Sequence, residues 1–177
     1  MPKLIIANAY EIYQPDDKSL SQAEIHARHF YNLRFLWLLE PGDAIVLSRP
    51  PANGFLSYLA RIKQLDPNTL HLIILGNKHA SLSSAALADP DLIEQLQKII
   101  IKTAEWTIQA CYFNHAVVAL AEKLHLMVDP EWKRLVTSDF IKHANSKAAF
   151  RRMTANQPIP VPEGVVCLSQ EDLAGSI

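Results

Sequence analysis

The sequence predicts an α/β fold: an open, Rossmann-like parallel sheet with crossover helices, followed by a short helical segment and a terminal strand. Three observations carry this. Unbroken apolar runs such as Leu4-Ile5-Ile6-Ala7 and Ala44-Ile45-Val46-Leu47 have the pattern of parallel strands covered on both faces. Segments with capping signals and helical apolar spacing lie between those runs. The strand–helix alternation then repeats, which argues for βαβ units joined by right-handed crossovers.

The elements follow in order. Lys3 to Ala9 reads as the first strand, and Pro15-Asp16-Asp17 breaks the chain after it. Ser19-x-x-Gln22 and Ser21-x-x-Glu24 both fit a capping box, and Phe30, Leu33, Leu36 and Trp37 carry the helical spacing up to Pro41-Gly42. Asp43 to Ser48 is the second strand, with Arg49-Pro50-Pro51 as a rigid exit. Asn53 can cap a helix from Gly54 to about Gln64. Asp66-Pro67-Asn68 is a turn, Leu70 to Leu75 the third strand, and Gly76-Asn77-Lys78 its exit. Asp89-Pro90 opens a helix to about Ala104, and Trp106 to Phe113 reads as a fourth strand. Residues 115–126 form a further helix, and Asp129-Pro130 begins a run of short helices. Val161 to Leu168 reads as the terminal strand, and Ser169-x-x-Asp172 opens a last turn. The chain therefore divides into an α/β domain over 1–128 and a second segment over 129–177.

Composition narrows the classes of function. The chain has 177 residues and is 49% apolar, enough for a sizeable core. With 17 basic and 18 acidic residues the net charge is -1, which argues for neither nucleic acid nor membrane as a partner. No apolar run reaches the length of a membrane span, and Met1-Pro2-Lys3 before a strand is too short for a signal peptide. The cytoplasm is the expected compartment. Cys111 and Cys167 form no CxxC pair and are expected as buried, reduced thiols.

Ligands of open α/β sheets bind beyond the carboxyl ends of the strands. The exits here are Asn8-Ala9-Tyr10, Ser48-Arg49-Pro50, Gly76-Asn77-Lys78 and Asn114-His115. Asn8, Arg49, Asn77 and His115 are the candidate substrate-binding residues. Arg49 stands out because a guanidinium grips a carboxylate in a bidentate fork, although pairing with a surface carboxylate is the competing reading. No GxGxxG follows a strand, and neither GxxxxGK[ST] nor GxSxG occurs. His26 and His29 lie three apart without an acidic or thiol neighbour, so they read as a polar helix face. Asp16-Asp17 and Glu171-Asp172 read as solvated turns or caps. No catalytic residue and no metal ligand is assigned. Ile99-Ile100-Ile101 is apolar on too many faces for a half-exposed helix, so a homodimer interface stands beside core packing as a reading of that stripe.

Two stretches together resemble a known arrangement. The first is Leu4-Ile5-Ile6-Ala7-Asn8, then Arg34-Phe35-Leu36-Trp37-Leu38-Leu39, Pro41-Gly42-Asp43-Ala44-Ile45-Val46-Leu47 and Arg49-Pro50-Pro51. It resembles the N-terminal pre-ATP-grasp domain of peptide ligases in the ATP-grasp superfamily. The second runs from Asn145-Ser146-Lys147-Ala148 through Pro158-Ile159-Pro160-Val161-Pro162-Glu163-Gly164 and is similar to the opening of an ATP-grasp domain.

The resemblance implies the N-terminal, substrate-side portion of a carboxylate–amine ligase working through an acyl phosphate. It implies Lys147 as a nucleotide-binding residue. ATP and Mg2+ would belong to the complete enzyme, and neither is expected bound to this chain. The implied partners are the remainder of an ATP-grasp domain and a small-molecule or peptide acceptor substrate. The family's second strand lysine, adenine-contacting hinge and late magnesium ligands would have to follow Ile177, so the isolated chain is expected to be inactive. A non-catalytic, Rossmann-like binding or dimerisation module is the alternative. A small-molecule enzyme with a site at Arg49 and His115 is a third reading.

Overall fold

Two strands are apolar at every position that must be buried, and they form the centre of the sheet. These are β1, Lys3–Ile6, and β2, Ala44–Leu47; Leu4, Ile5, Ile6 and all four residues of β2 are fully buried. The outer strands are β3, His71–Ile74, and β4, Thr107–Ala110, each with mixed exposure. All pairings are parallel and the order is β3-β2-β1-β4. The computed structural model describes residues 1–13, 21–76, 81–100, 105–138, 140–155, 157–167 and 169–175.

The helices fill the connections. A 3₁₀ turn, Ala9–Tyr13, leaves β1. The first helix, α1 (Gln22–Asn32), starts on the Ser21/Glu24 capping box that the sequence predicts; the alternative start at Ser19 lies outside the described residues. The chain continues as a 3₁₀ helix, Leu33–Leu38, into β2. The next helix is α2, Phe55–Lys63, with Gly54 rather than Asn53 at its cap. Between β3 and β4 lie α3, Leu82–Ala88, and α4, Pro90–Ile100. The sequence reading did not anticipate α3, which is short and rich in Ser and Ala. After β4 come α5, His115–Lys123, and α6, Pro130–Thr137, on the Asp129-Pro130 start. Among the described residues no helix is long and apolar enough to cross a membrane.

Asp43 explains the Gly-Asp pair before β2. Its carboxylate is buried and accepts the Lys3 N–H at 2.8 Å and the Glu40 N–H at 3.0 Å, with the Lys3 ammonium at 3.5 Å. Gly42 makes the approach possible at φ +85, a conformation that L side chains rarely adopt, and donates its N–H to the Thr69 carbonyl at 3.1 Å. The edge of β4 is covered as well. Met127 bridges Thr107 in parallel, and its N–H reaches the Trp106 carbonyl at 3.1 Å.

The chain divides into two compact units after Ser138. The helix α6, placed by the sequence reading in the second segment, belongs to the first, where Trp132 stacks on Phe113 with ring centroids 5.0 Å apart. The second unit contains α7, Phe140–Ala144, α8, Lys147–Thr154, and α9, Gln170–Ala174.

Two expectations need correction. Val161 to Cys167 carries no strand, because no neighbouring strand supplies a hydrogen-bonding ladder; Leu168 lies outside the described residues. The cysteines are not both buried: Cys111 is exposed and Cys167 intermediate. Cys111 stands one residue beyond β4, where the chain has already turned out of the sheet. Ile99 and Ile100 are half-buried and pack against the core, in line with the core-packing reading of that stripe, while Ile101 lies outside the described residues.

The Asp43→Ala substitution is expected to destabilise the fold by about 3 kcal/mol, since two backbone N–H groups lose a charged acceptor in a dry site. Urea unfolding followed by circular dichroism measures it.

Candidate functional site

In the order β3-β2-β1-β4 the chain steps outward from β1 to β2 and β3, then crosses back to place β4 on the other side of β1. The crevice between the carboxyl ends of β1 and β4 is therefore the topological switch point, where open α/β sheets receive ligands. This chain fills that crevice with its own side chains.

Asn8, just past β1, is buried and clips the two strand exits together. Its Oδ1 accepts the N–H groups of Cys111 and Tyr112, each at 3.1 Å, and its Nδ2 donates to the Tyr112 carbonyl at 2.8 Å. The second Nδ2 hydrogen bond goes to Glu11 Oε2 at 2.9 Å. Glu11 is itself buried at the centre of a ring of donors. Its Oε1 accepts from the Ser83 N–H at 2.8 Å and the Ser81 hydroxyl at 3.2 Å. Its Oε2 also accepts from Asn114 Nδ2 at 2.8 Å and from the Ser83 hydroxyl.

The sequence places each member for a local reason. Ser81 is the N-cap of α3 and Asn114 the N-cap of α5, where its Oδ1 accepts from the Val117 N–H at 2.9 Å. Two helix N-termini, each with partial positive charge, thus face one carboxylate. No cation is needed to hold Glu11, because five hydrogen-bond donors satisfy its two oxygens. Chemically this is an anion site already filled by the protein. The Asn8 amide has used both donors and both acceptor positions, so it acts as a clip between strands rather than as a group pointing at a ligand.

The other candidates fall elsewhere. His115 is exposed at the first position of α5, next to the capping Asn114. Asn77 lies outside the described residues. Arg49, at the β2 exit, contacts no carboxylate among the described residues. Its Nη1 lies 3.0 Å from His26 Nε2, and its guanidinium carbon sits 5.7 Å from the Phe30 ring centroid. His26 and Phe30 are four apart on α1 and present one face to it. The preceding residue, Ser48, has a buried hydroxyl with no hydrogen-bond partner among the described residues. His26 and His29 do not share a face in the way a metal pair would: His26 is exposed and His29 buried. Among the described residues no three His, Cys, Asp or Glu side chains gather in a way that could hold a metal ion.

Lys147, in the second unit, is the first residue of α8, and Ser146 caps that helix by accepting the Ala149 N–H at 3.2 Å. Lys147 lines a cavity of about 290 Å3 together with Ser146, Phe150, Arg151 and Pro162. Arg151 pins the Pro-rich step to α8, donating to the carbonyls of Gly164 at 3.1 Å and Pro162. Gly164 has φ +152, and a Cβ there would meet Arg151 Nη2 at 2.9 Å, so the glycine makes room for the guanidinium.

The profile of the pre ATP-grasp domain matches residues 32–126, more than half of the chain. The chain belongs to that family. The match takes in the Gly42-Asp43 turn, Arg49-Pro50-Pro51, α3 and Asn114, while Asn8 and Glu11 precede it in the same unit. Comparison with curated proteins finds no match.

Sequence reasoning picked Asn8 and the Asn114 exit but missed Glu11, Ser81 and Ser83. The available signal was a glutamate three residues after a strand-exit asparagine, in a turn with no glycine. Its partners Ser81 and Ser83 lie about seventy residues away, beyond any local pattern.

Two outcomes follow for the pre-ATP-grasp unit. Glu11→Gln replaces an acceptor oxygen with a donor that faces Asn8 Nδ2, Asn114 Nδ2 and the Ser83 hydroxyl. It is expected to lower stability by roughly 2–4 kcal/mol in a denaturant titration, as for a disrupted buried charged network. Cys111 is the second case: partial burial pushes its thiol above the ordinary range, and the nearby Arg34 charge only partly offsets this. Its alkylation by iodoacetamide is expected to accelerate only above the pH at which a free cysteine reacts, read by mass spectrometry of the Cys111 peptide.

Proposed function

We propose that this chain is the substrate-side, N-terminal portion of an ATP-grasp carboxylate–amine ligase. The observation that carries the reading is the pre ATP-grasp domain match over residues 32–126, with the Lys147 segment following it in sequence. In the complete enzyme ATP would phosphorylate a carboxylate, releasing ADP, and an amine would displace phosphate from the acyl phosphate to form the amide. ATP and Mg2+ supply that chemistry, and the remainder of an ATP-grasp domain supplies most of their contacts.

Lys147 is the nucleotide-side contact in this chain. Its ammonium has no hydrogen-bond or ion-pair partner among the described residues, and it opens a capped helix beside a cavity, a setting suited to a phosphate oxygen. One lysine does not neutralise a triphosphate, and phosphoryl transfer also needs metal ions and further cations around the γ-phosphate. The chain alone therefore does not form the bond. On the acceptor side Arg49 is the contact for a substrate carboxylate, because its guanidinium is oriented by His26 and Phe30 rather than spent on an internal acid. Asn8 and Asn114 fix the strand exits, and His115 follows Asn114 at the start of α5.

Calorimetry of this chain with Mg-ATP is expected to show no micromolar binding, and a micromolar dissociation constant would refute the division of labour. In a protein that joins the chain to a complete ATP-grasp domain, carboxylate-dependent ADP release and trapping of an acyl hydroxamate are expected. There Lys147→Gln should raise the KM for ATP about tenfold with a smaller change for the carboxylate. A joined protein that consumes no ATP with any carboxylate and amine offered would sink the ligase reading.

A further inference from the structure

The outer face of α1 and α2 carries an arrangement that the switch-point network and the Lys147 cavity leave unexplained. Phe30, Tyr31 and Trp37 are all large and all exposed, at 59%, 52% and 41%. With Phe55, Pro51 and Arg34 they line a cavity of about 300 Å3 in the pre-ATP-grasp unit. That is the lower end of the range for small-molecule pockets. Its walls are set rather than loose: Trp37 meets Phe55 edge-on with centroids 6.3 Å apart, and Tyr31 rests on Tyr10 at 5.7 Å.

The charge at this cavity has one sign. Arg34 is part of the lining, and its guanidinium carbon lies 5.8 Å from the Phe35 ring centroid. Arg49 stands next to the cavity on the Phe30 ring. Neither arginine has a carboxylate partner among the described residues. The acids on these elements are engaged elsewhere: Glu24 takes the Ser21 hydroxyl and N–H, and Glu40 takes Lys63 at 3.1 Å. The Arg34 guanidinium meets no carboxylate among the described residues, and Arg49 has Nη1 3.0 Å from His26 Nε2 with the rest of its guanidinium edge left for a carboxylate.

We propose that this face is a binding site for a small carboxylate with an aromatic body. The ring system lies among Phe30, Tyr31, Trp37 and Phe55, and the carboxylate takes Arg34, with Arg49 reinforcing it from the Phe30 side. The aromatic walls favour a flat occupant through offset and edge-to-face contacts. The unpaired positive charge selects an anion over a neutral molecule of the same shape. The site draws nothing from Lys147 or from nucleotide, so its binding is measured without ATP. Its failure and the failure of the ligase reading are then separate results.

The test titrates the whole chain with naphthalene-2-carboxylate and, in parallel, with its neutral isostere naphthalene-2-carboxamide. Calorimetry is expected to show saturable binding of the carboxylate at one site per chain, about tenfold tighter than the amide. Arg34→Gln should bring the carboxylate to the affinity of the amide while leaving the amide unchanged. Trp37→Ala should weaken both, and Trp37→Phe, which keeps an aromatic wall, should restore most of the loss if the alanine variant is poorly folded by circular dichroism. The proposal is overturned if neither probe saturates or if the two bind alike. It is also overturned if Arg34→Gln has no effect on the difference, or if light scattering shows a dimer that excludes the probe, which would assign the face to a second copy of the chain.

Discussion

The Glu11 carboxylate is the constraint around which the first unit is arranged. It joins the exits of β1 and β4 through Asn8, and it joins the N-termini of α3 and α5 through Ser81, Ser83 and Asn114. A buried ion of this kind is tolerated only when every oxygen is satisfied, and here the donors come from three separate places, the β1 exit and the starts of α3 and α5. Each element is thereby held at the position where its donor reaches the acid. The small sheet, with four residues in each strand, has little hydrogen bonding of its own with which to fix those positions.

Filling the switch point has a consequence for function. In an open α/β sheet that crevice is where helix N-termini meet the phosphates of a nucleotide. Here the same N-termini face a glutamate, so an incoming phosphate would have to displace an anion already bonded by five donors. The absence of a glycine-rich turn after β1 fits this: a turn that delivers a carboxylate into the crevice has no need to let a pyrophosphate approach the backbone. Among the described residues, the β2 exit and the exposed aromatic face running from α1 to α2 are surfaces that network does not occupy.

How much of this was legible in the sequence follows from what each element depends on. The central strands were readable because burial on both faces forces an unbroken apolar run, and Ile5 and Ile45 have no polar neighbour within their strands. The outer strands blur because they are only partly buried, so His71 and Gln109 interrupt the pattern. The capping boxes at Ser21 and Ser169 were readable because both halves lie within four residues. By contrast, α3 is stabilised at its start by Glu11, seventy residues earlier, and its own residues give a weak helical signal. The segment from Val161 failed as a strand for the complementary reason. Strand composition describes a residue's fit to a pleated surface, and a strand exists only where a neighbour supplies the ladder. Arg49 was singled out by its place at a strand exit and by its type; its partners on α1 were not foreseeable, since His26 reads as a surface residue until the helix is laid beside the β2 exit.

The cations around β2, α1 and α2 are held in two different ways. Lys3 and Lys63 are committed to structure: Lys3 meets Asp43, and Lys63 takes Glu40 and the carbonyls of Trp37 and Leu39 at the end of the 3₁₀ helix. Arg28, Arg34, Arg49 and Arg61 instead lie over the rings of Tyr10, Phe35, Phe30 and Tyr58. An arginine held by a ring contributes modestly to stability, on the order of 0.5–1 kcal/mol at an exposed site. Its charge is not offset by a carboxylate beside it, as it would be in an internal salt bridge. Around β2, lysines thus hold the frame, while Arg34 and Arg49 leave positive charge beside the aromatic cavity for an anionic ligand.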